Sequence, residues 1–180
     1  MHCVLLNVTH MLFAIWNGDK FSDPRNVFWK EKHDIDAISS SLKEARGSVP
    51  AQLGHAPRPI GPHHNGYKAA EWKMWLLSYG PALLEGRLKD EYRSNFLLLD
   101  RIYAITYSHS MDRSQTVQLR AMCRDFVQEF QELYFTIRGE DNMPACTINV
   151  HAILHLAEED VENSVQHATF GSSQWKGTAA

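Results

Sequence analysis

The sequence predicts an all-α fold, an irregular bundle of about six helices, and three observations carry that prediction. Apolar residues return at intervals of three and four along most of the chain, the period of one helix face. No segment alternates apolar and polar residues as a half-buried strand does. The periodic runs are separated by Gly, Pro and Asn, residues that start or stop helices.

The first helix is expected from Cys3 to Trp16, where Asn17-Gly18 forms a natural stop. A second is expected to begin at Asp23-Pro24, an N-cap residue followed by proline in the first turn, with Phe28, Ile35, Ile38 and Leu42 as its core face. From Gly47 to Gly66 the chain is rich in Pro, Gly and His and lacks sustained periodicity, which reads as a long connection. Lys68 opens a third helix carrying Trp72, Trp75, Leu76 and Tyr79 on one face. Gly80-Pro81 should kink or break it, because proline removes a helical hydrogen bond, before Leu83 and Leu84 continue the face. The fourth helix carries Tyr92, Phe96, Leu99, Tyr103 and Thr106, and the fifth Val117, Ala121, Met122, Phe126, Phe130 and Leu133. The sixth, from about Thr147 to Glu162, places Val150, Ile153, Leu154 and Ala157 inside. Trp72, Trp75, Phe96, Tyr103, Phe126 and Phe130 should meet in the core.

Composition narrows the classes of function. A chain of 180 residues with 44% apolar and 22% charged residues can bury a sizeable core, which excludes wholesale disorder. The formal charge is -3, whereas a free-standing DNA-binding domain usually carries a basic surplus. Any nucleic-acid role must then come from a local patch or from neighbouring sequence. Cys3, Cys123 and Cys146 are odd in number and widely spaced, which suits a reducing, intracellular compartment better than a disulfide scaffold. The apolar run from Val4 to Trp16 lacks a basic leader and a cleavage site, is interrupted by Asn7, Thr9 and His10, and is too short to span a bilayer. No membrane association and no small-molecule substrate are expected.

Candidate chemistry is sparse. His151 and His155 stand four apart and share a helix face, a spacing that suits two metal ligands, with Cys146 as a third. No glutamate stands between them to act as a base, and histidines packed at a helix interface explain the pair as well. His63-His64 falls in the Pro/Gly-rich connection and receives no role. Glu140-Asp141 and Glu158-Glu159-Asp160 read as solvated faces, since adjacent acids cannot all point into one site. Ser39-Ser40-Ser41 reads as exposed helix or turn.

Several stretches, taken together and in order, resemble the CACTA-type DNA transposases. Met1-His2-Cys3-Val4-Leu5-Leu6-Asn7-Val8 resembles the segment after an aspartate in a D-x-M-H motif, and Tyr67-Lys68-Ala69-Ala70-Glu71-Trp72 resembles a K-A-x-E-W box. Arg87-Leu88, Asn95-Phe96, Pro144-Ala145-Cys146, Asn149-Val150-His151 and His155-Leu156-Ala157 follow in the family's order. The match runs from Met1 to about Asn163, so residues 1–163 read as one helical region. The resemblance implies the helical insertion between the second and third acids of an RNase H-like core. It implies DNA and other transposase segments as partners, a nuclear location where functional, and a divalent metal such as Mg²⁺ in the intact family. The preceding aspartate is not in this sequence, and the expected stretch with the third acid, Trp-Gln-Phe-Pro-Met-Glu-Arg, is replaced by the tail 164–180. The expectation is therefore a transposon-derived fragment with no catalytic residue and no cofactor of its own, since two-metal cleavage needs converging carboxylates. A helical module that binds DNA or a partner protein, and a small metal-binding domain, are the alternatives.

The tail itself carries a trace of the missing motif. Read from the third base of the Phe170 codon, the codons permitted through Gly177 allow TGG CAG TTC CCA ATG GAA AGG, which spells Trp-Gln-Phe-Pro-Met-Glu-Arg. Thr178 to Ala180 then permit Cys-Gly, and Ser164 to Gln166 permit Gly-Pro in the same shift. Residues 164–180 thus read as family sequence in a shifted frame, expected to be poorly ordered. Genomic sequencing should find codons compatible with that shift, including TCC at Ser173; TCT there would refute the frameshift.

Overall fold

A computed structural model describes residues 2–19, 28–31, 33–48, 56–108, 112–135 and 148–156. They form an all-α assembly, as the periodicity predicts, with one isolated antiparallel bridge, Trp29 to Leu88. Helix α1 (His2–Trp16) is the axis of the core. Val8, Thr9 and every residue from Met11 to Trp16 are buried, so the last turns of the helix are enclosed on all sides. Its end is a glycine cap: Gly18 adopts φ +80 and the Asp19 N–H donates to the Ala14 carbonyl at 2.9 Å.

The second helix differs from expectation. Helix α2 (Asp34–Ser48) starts at Asp34, whose Oδ2 accepts the Glu31 N–H at 2.7 Å, and not at Asp23-Pro24, which lies outside the described residues. Phe28 is buried, as expected, but from outside the helix, on a short extended segment. There the Lys30 N–H donates to the Arg87 carbonyl and the Lys89 N–H to the Phe28 carbonyl. The bridge to Leu88 was invisible locally because its two sides are far apart in sequence. Helix α2 also runs through Gly47, and the presumed connection contains helix α3 (Ile60–His63) followed by a 3₁₀ turn (His64–Gly66). Ile60 is fully buried, and the Gly61 N–H donates to Ser39 Oγ at 3.0 Å, which docks α3 on α2. Ser39 is accordingly half-buried in α2 while Ser40 is exposed there.

Gly80-Pro81 neither breaks nor ends its helix. Helix α4 (Ala69–Met74) passes into a π turn (Trp75–Tyr79) and on into α5 (Gly80–Leu83). The Gly80 N–H reaches back to the Trp75 carbonyl, a five-residue step. Widening this turn accommodates the proline ring, which in a regular helix would clash with the carbonyl four residues earlier. Helix α6 (Asp90–Thr106) and helix α7 (Arg113–Phe135) pack along each other. The buried face of α7 is Leu119, Cys123, Phe126, Val127, Phe130 and Tyr134; Val117 is 63% exposed and Ala121 is also exposed. Two apolar stripes overlap on this helix, and packing against α6 selects the one through Cys123 and Tyr134. Helix α8 (Ile148–Ala152) continues as a 3₁₀ turn (Ile153–His155), burying Val150, Ile153 and Leu156, with Leu154 half-buried. Residues 157–162 of the expected sixth helix lie outside the described residues, as does the 164–180 tail.

All six predicted core aromatics are buried. Two hydrogen bonds from indoles fix the register of the assembly. Trp16 Nε1 donates to the Tyr134 hydroxyl at 2.9 Å, tying α1 to α7, and Trp29 Nε1 donates to the Trp16 carbonyl at 2.9 Å. Asn95, buried in α6, donates from Nδ2 to the Phe126 carbonyl at 3.2 Å. Among the described residues no helix is long and apolar enough to cross a membrane.

The π turn sets Gly80 against α6 so tightly that a Cβ there would stand 2.7 Å from Phe96 Cζ and 2.8 Å from the Trp75 carbonyl oxygen. Gly80→Ala should destabilise the fold by about 1–3 kcal/mol in urea titration, the usual cost of overpacking. An unchanged urea midpoint would show that α5 shifts freely over α6.

Candidate functional site

The predicted metal ligands divide between described and undescribed parts of the chain. His151 and His155 are brought together, their ring centroids 5.3 Å apart, and both are exposed. Cys146 lies outside the described residues. Among the described residues no three His, Cys, Asp or Glu side chains converge as metal ligands would. The carboxylates there have other partners or surroundings. Asp90 pairs with Lys30 Nζ at 2.9 Å, and Asp112 accepts the Gln115 N–H at 2.8 Å in the first turn of α7. Asp100 is half-buried, and burial pushes its carboxyl above the usual range. Glu140-Asp141 and Glu158-Glu159-Asp160 lie outside the described residues.

Glu71, from the Lys-Ala-Ala-Glu-Trp box, is the most heavily engaged acid. Arg58 grips it with Nε on Oε1 and Nη2 on Oε2, both at 2.8 Å, and the Lys68 N–H donates to Oε2 at 3.0 Å. The first contact is a planar fork joining the connection to helix α4; the second closes the helix N-terminus, where an acid is favoured. The hydrogen bond from Arg58 is the main reason the Glu71 carboxyl is held down at about 2. Arg58 also donates to the Gly66 carbonyl at 2.5 Å, and its own carbonyl accepts the Tyr67 hydroxyl. Tyr67, packed 4.9 Å from Trp72, has its hydroxyl pushed up by burial.

This knot shapes one wall of an open cleft enclosing about 350 Å³. Helix α1 contributes Leu6, Asn7 and His10; the 3₁₀ turn contributes His64 and Asn65; Tyr67, Ala69 and Trp72 complete it. His64, to which the sequence assigns no role, is buried here against Phe13, with ring centroids 5.1 Å apart. Its Nδ1 meets the Gly61 carbonyl at 2.9 Å and its Nε2 meets Asp19 Oδ2 at 2.5 Å. Histidine in a Pro/Gly-rich stretch carries no signal of this, and its carboxylate partner is 45 residues away.

Comparison of the chain with protein-family models, with curated proteins and with solved structures finds no match.

The Arg58–Glu71 clamp has a definite pH signature. Because the folded chain holds Glu71 below its ordinary 4.5, the stabilisation is complete above about pH 4.5 and is lost as pH falls toward about 2. Glu71→Gln should cost about 1–2 kcal/mol at neutral pH, a figure reduced for partial solvent screening, and should flatten the acid limb of a pH–stability curve. Parallel acid limbs for the parent and variant would show that the clamp contributes nothing.

Proposed function

We propose that the chain is a non-cleaving, DNA-associated helical module derived from a CACTA-type transposase. The observation that carries this reading is the mutual packing of the segments that resemble the family. Helix α1, from the Met-His segment, packs on α4, from the Lys-Ala-Ala-Glu-Trp box, and on α8, from the Asn-Val-His segment. Trp16 at the end of α1 meets Phe96 of the Asn-Phe pair, ring centroids 5.8 Å apart. Residues scattered through the sequence would have reason to recur together if they build one core. The box residues have concrete work in it: Glu71 holds Arg58, and Trp72 packs on Phe13 and His10.

A DNA partner needs a local basic surface, given the net charge of -3. Helix α7 presents one. Arg113, Arg120 and Arg124 are exposed at spacings of seven and four, hence on one side of the helix, and none forms a salt bridge among the described residues. The Arg120–Arg124 pair is mutually repulsive within the helix, and Arg113 stands in a first turn with no acid. Phosphates on that side would relieve both costs. Two-metal cleavage needs converging carboxylates, and among the described residues no three potential ligands converge, which is compatible with a module that positions DNA.

The purified chain should leave supercoiled plasmid unnicked with Mg²⁺ or Mn²⁺. It should retard duplex DNA at low salt, and Arg120→Ala with Arg124→Ala should weaken that binding several-fold. Metal-dependent nicking abolished by Asp100→Asn would place an active site in this region and sink the reading. Retardation indifferent to the arginine substitutions would remove α7 as the contact.

A further inference from the structure

We propose that the cleft between α1 and residues 64–72 binds a single unstacked purine base, with adenine the best complement. The inference goes beyond the transposase reading and stands without it. The cleft wall is built of rings, with Trp72 5.2 Å from His10 and 4.9 Å from Tyr67 between centroids. The polar ends of Tyr67 and His64 face other partners. The Tyr67 hydroxyl is given to the Arg58 carbonyl, and both nitrogens of His64 meet Gly61 and Asp19. Tyr67 and His64 therefore offer the cleft ring surface, the kind of wall on which a flat heterocycle packs.

Two side chains at the mouth differ. Asn7 from α1 and Asn65 from the 3₁₀ turn are exposed, both line the cleft, and they spend no side-chain hydrogen bond among the described residues. A carboxamide presents one acceptor and a donor group side by side, which matches the amino group and adjacent ring nitrogen of adenine. Among the described residues no Lys, Arg, Asp or Glu lines the cleft, so a phosphate or carboxylate as the main bound group has no charged partner from them. A volume of about 350 Å³ holds a purine with room for its attached sugar to leave through the open side. The wall is also braced in advance. Arg58 lies 5.7 Å from the Tyr67 ring centroid while it forks onto Glu71, so little ordering remains to oppose binding.

The base can belong to a free nucleoside or to an unstacked position in a single strand, and one experiment separates these. Adenosine is titrated into the full chain by calorimetry, with saturable binding expected at roughly 10–500 µM. Asn7→Ala with Asn65→Ala should weaken it about tenfold by removing the carboxamide pairing. Ala69→Trp, which fills the exposed mouth from the first residue of α4, should abolish it. Thermal melts matching the parent show that both variants fold, and the two substitutions test the same site independently. Absence of saturable adenosine binding, or binding untouched by both variants, overturns the proposal. Competition by a short single strand containing adenine, but not by its abasic counterpart, identifies a strand as the source; failure of both to compete assigns the site to the free nucleoside.

Discussion

A helix that is apolar on every side has to be surrounded, and helix α1 imposes that condition on the rest of the chain. Its last six residues, Met11 to Trp16, are buried without interruption, so no single partner helix can cover them. Helices α4 and α8 pack on it, Phe96 of α6 meets Trp16, and Tyr134 of α7 accepts the Trp16 indole proton. The hydrophobic gain of enclosing these side chains, about 1.5–3 kcal/mol for each large one, is what opposes the entropy of ordering long connections around them. Hydrogen bonds such as Trp16 to Tyr134 add less energy and more register, because a buried indole N–H without a partner is expensive.

The second constraint is how the chain crosses from α2 to α4. Residues 56–68 hold no long periodic element, yet they are pinned at several points. Ile60 enters the core, Gly61 hydrogen-bonds Ser39, His64 bridges Gly61 and Asp19, and Arg58 forks onto Glu71. These contacts replace the apolar stripe that a longer helix would use. They pin a Pro/Gly-rich stretch against the core, and His64, Asn65 and Tyr67 from it line the cleft.

The Lys-Ala-Ala-Glu-Trp box gains a physical meaning from this arrangement. Glutamate in such a box invites a catalytic interpretation, since acids hold metal ions in DNA-cutting enzymes. Here Glu71 is committed to a guanidinium and to the backbone of its own helix, and Trp72 is a wall of the cleft. Arg113, Arg120 and Arg124 of α7, and Asn7 and Asn65 beside the cleft, are exposed.

Periodicity alone was enough to establish the helical class, the end of α1 at Trp16, and the burial of Trp72, Trp75, Phe96, Tyr103, Phe126 and Phe130, because these depend on residues within a few turns of one another. Where long-range contacts compete with local signals, the local reading slipped. Asp23-Pro24 has the chemistry of a helix start, but Phe28 is drawn into pairing beside Leu88, and the helix begins at Asp34. Gly80-Pro81 should kink or break a helix, but the widened turn at Trp75 carries it through as a continuous element, with Gly80 set against Phe96. On α7 the expected stripe through Val117 and Ala121 is exposed there, and the buried one runs through Leu119, Cys123 and Tyr134, where the helix packs on α6. His64 with Asp19, and the cleft they help to frame, arose only in three dimensions: a pairing across 45 residues leaves no period to read, and only the folded core brings its two halves within a hydrogen bond's reach.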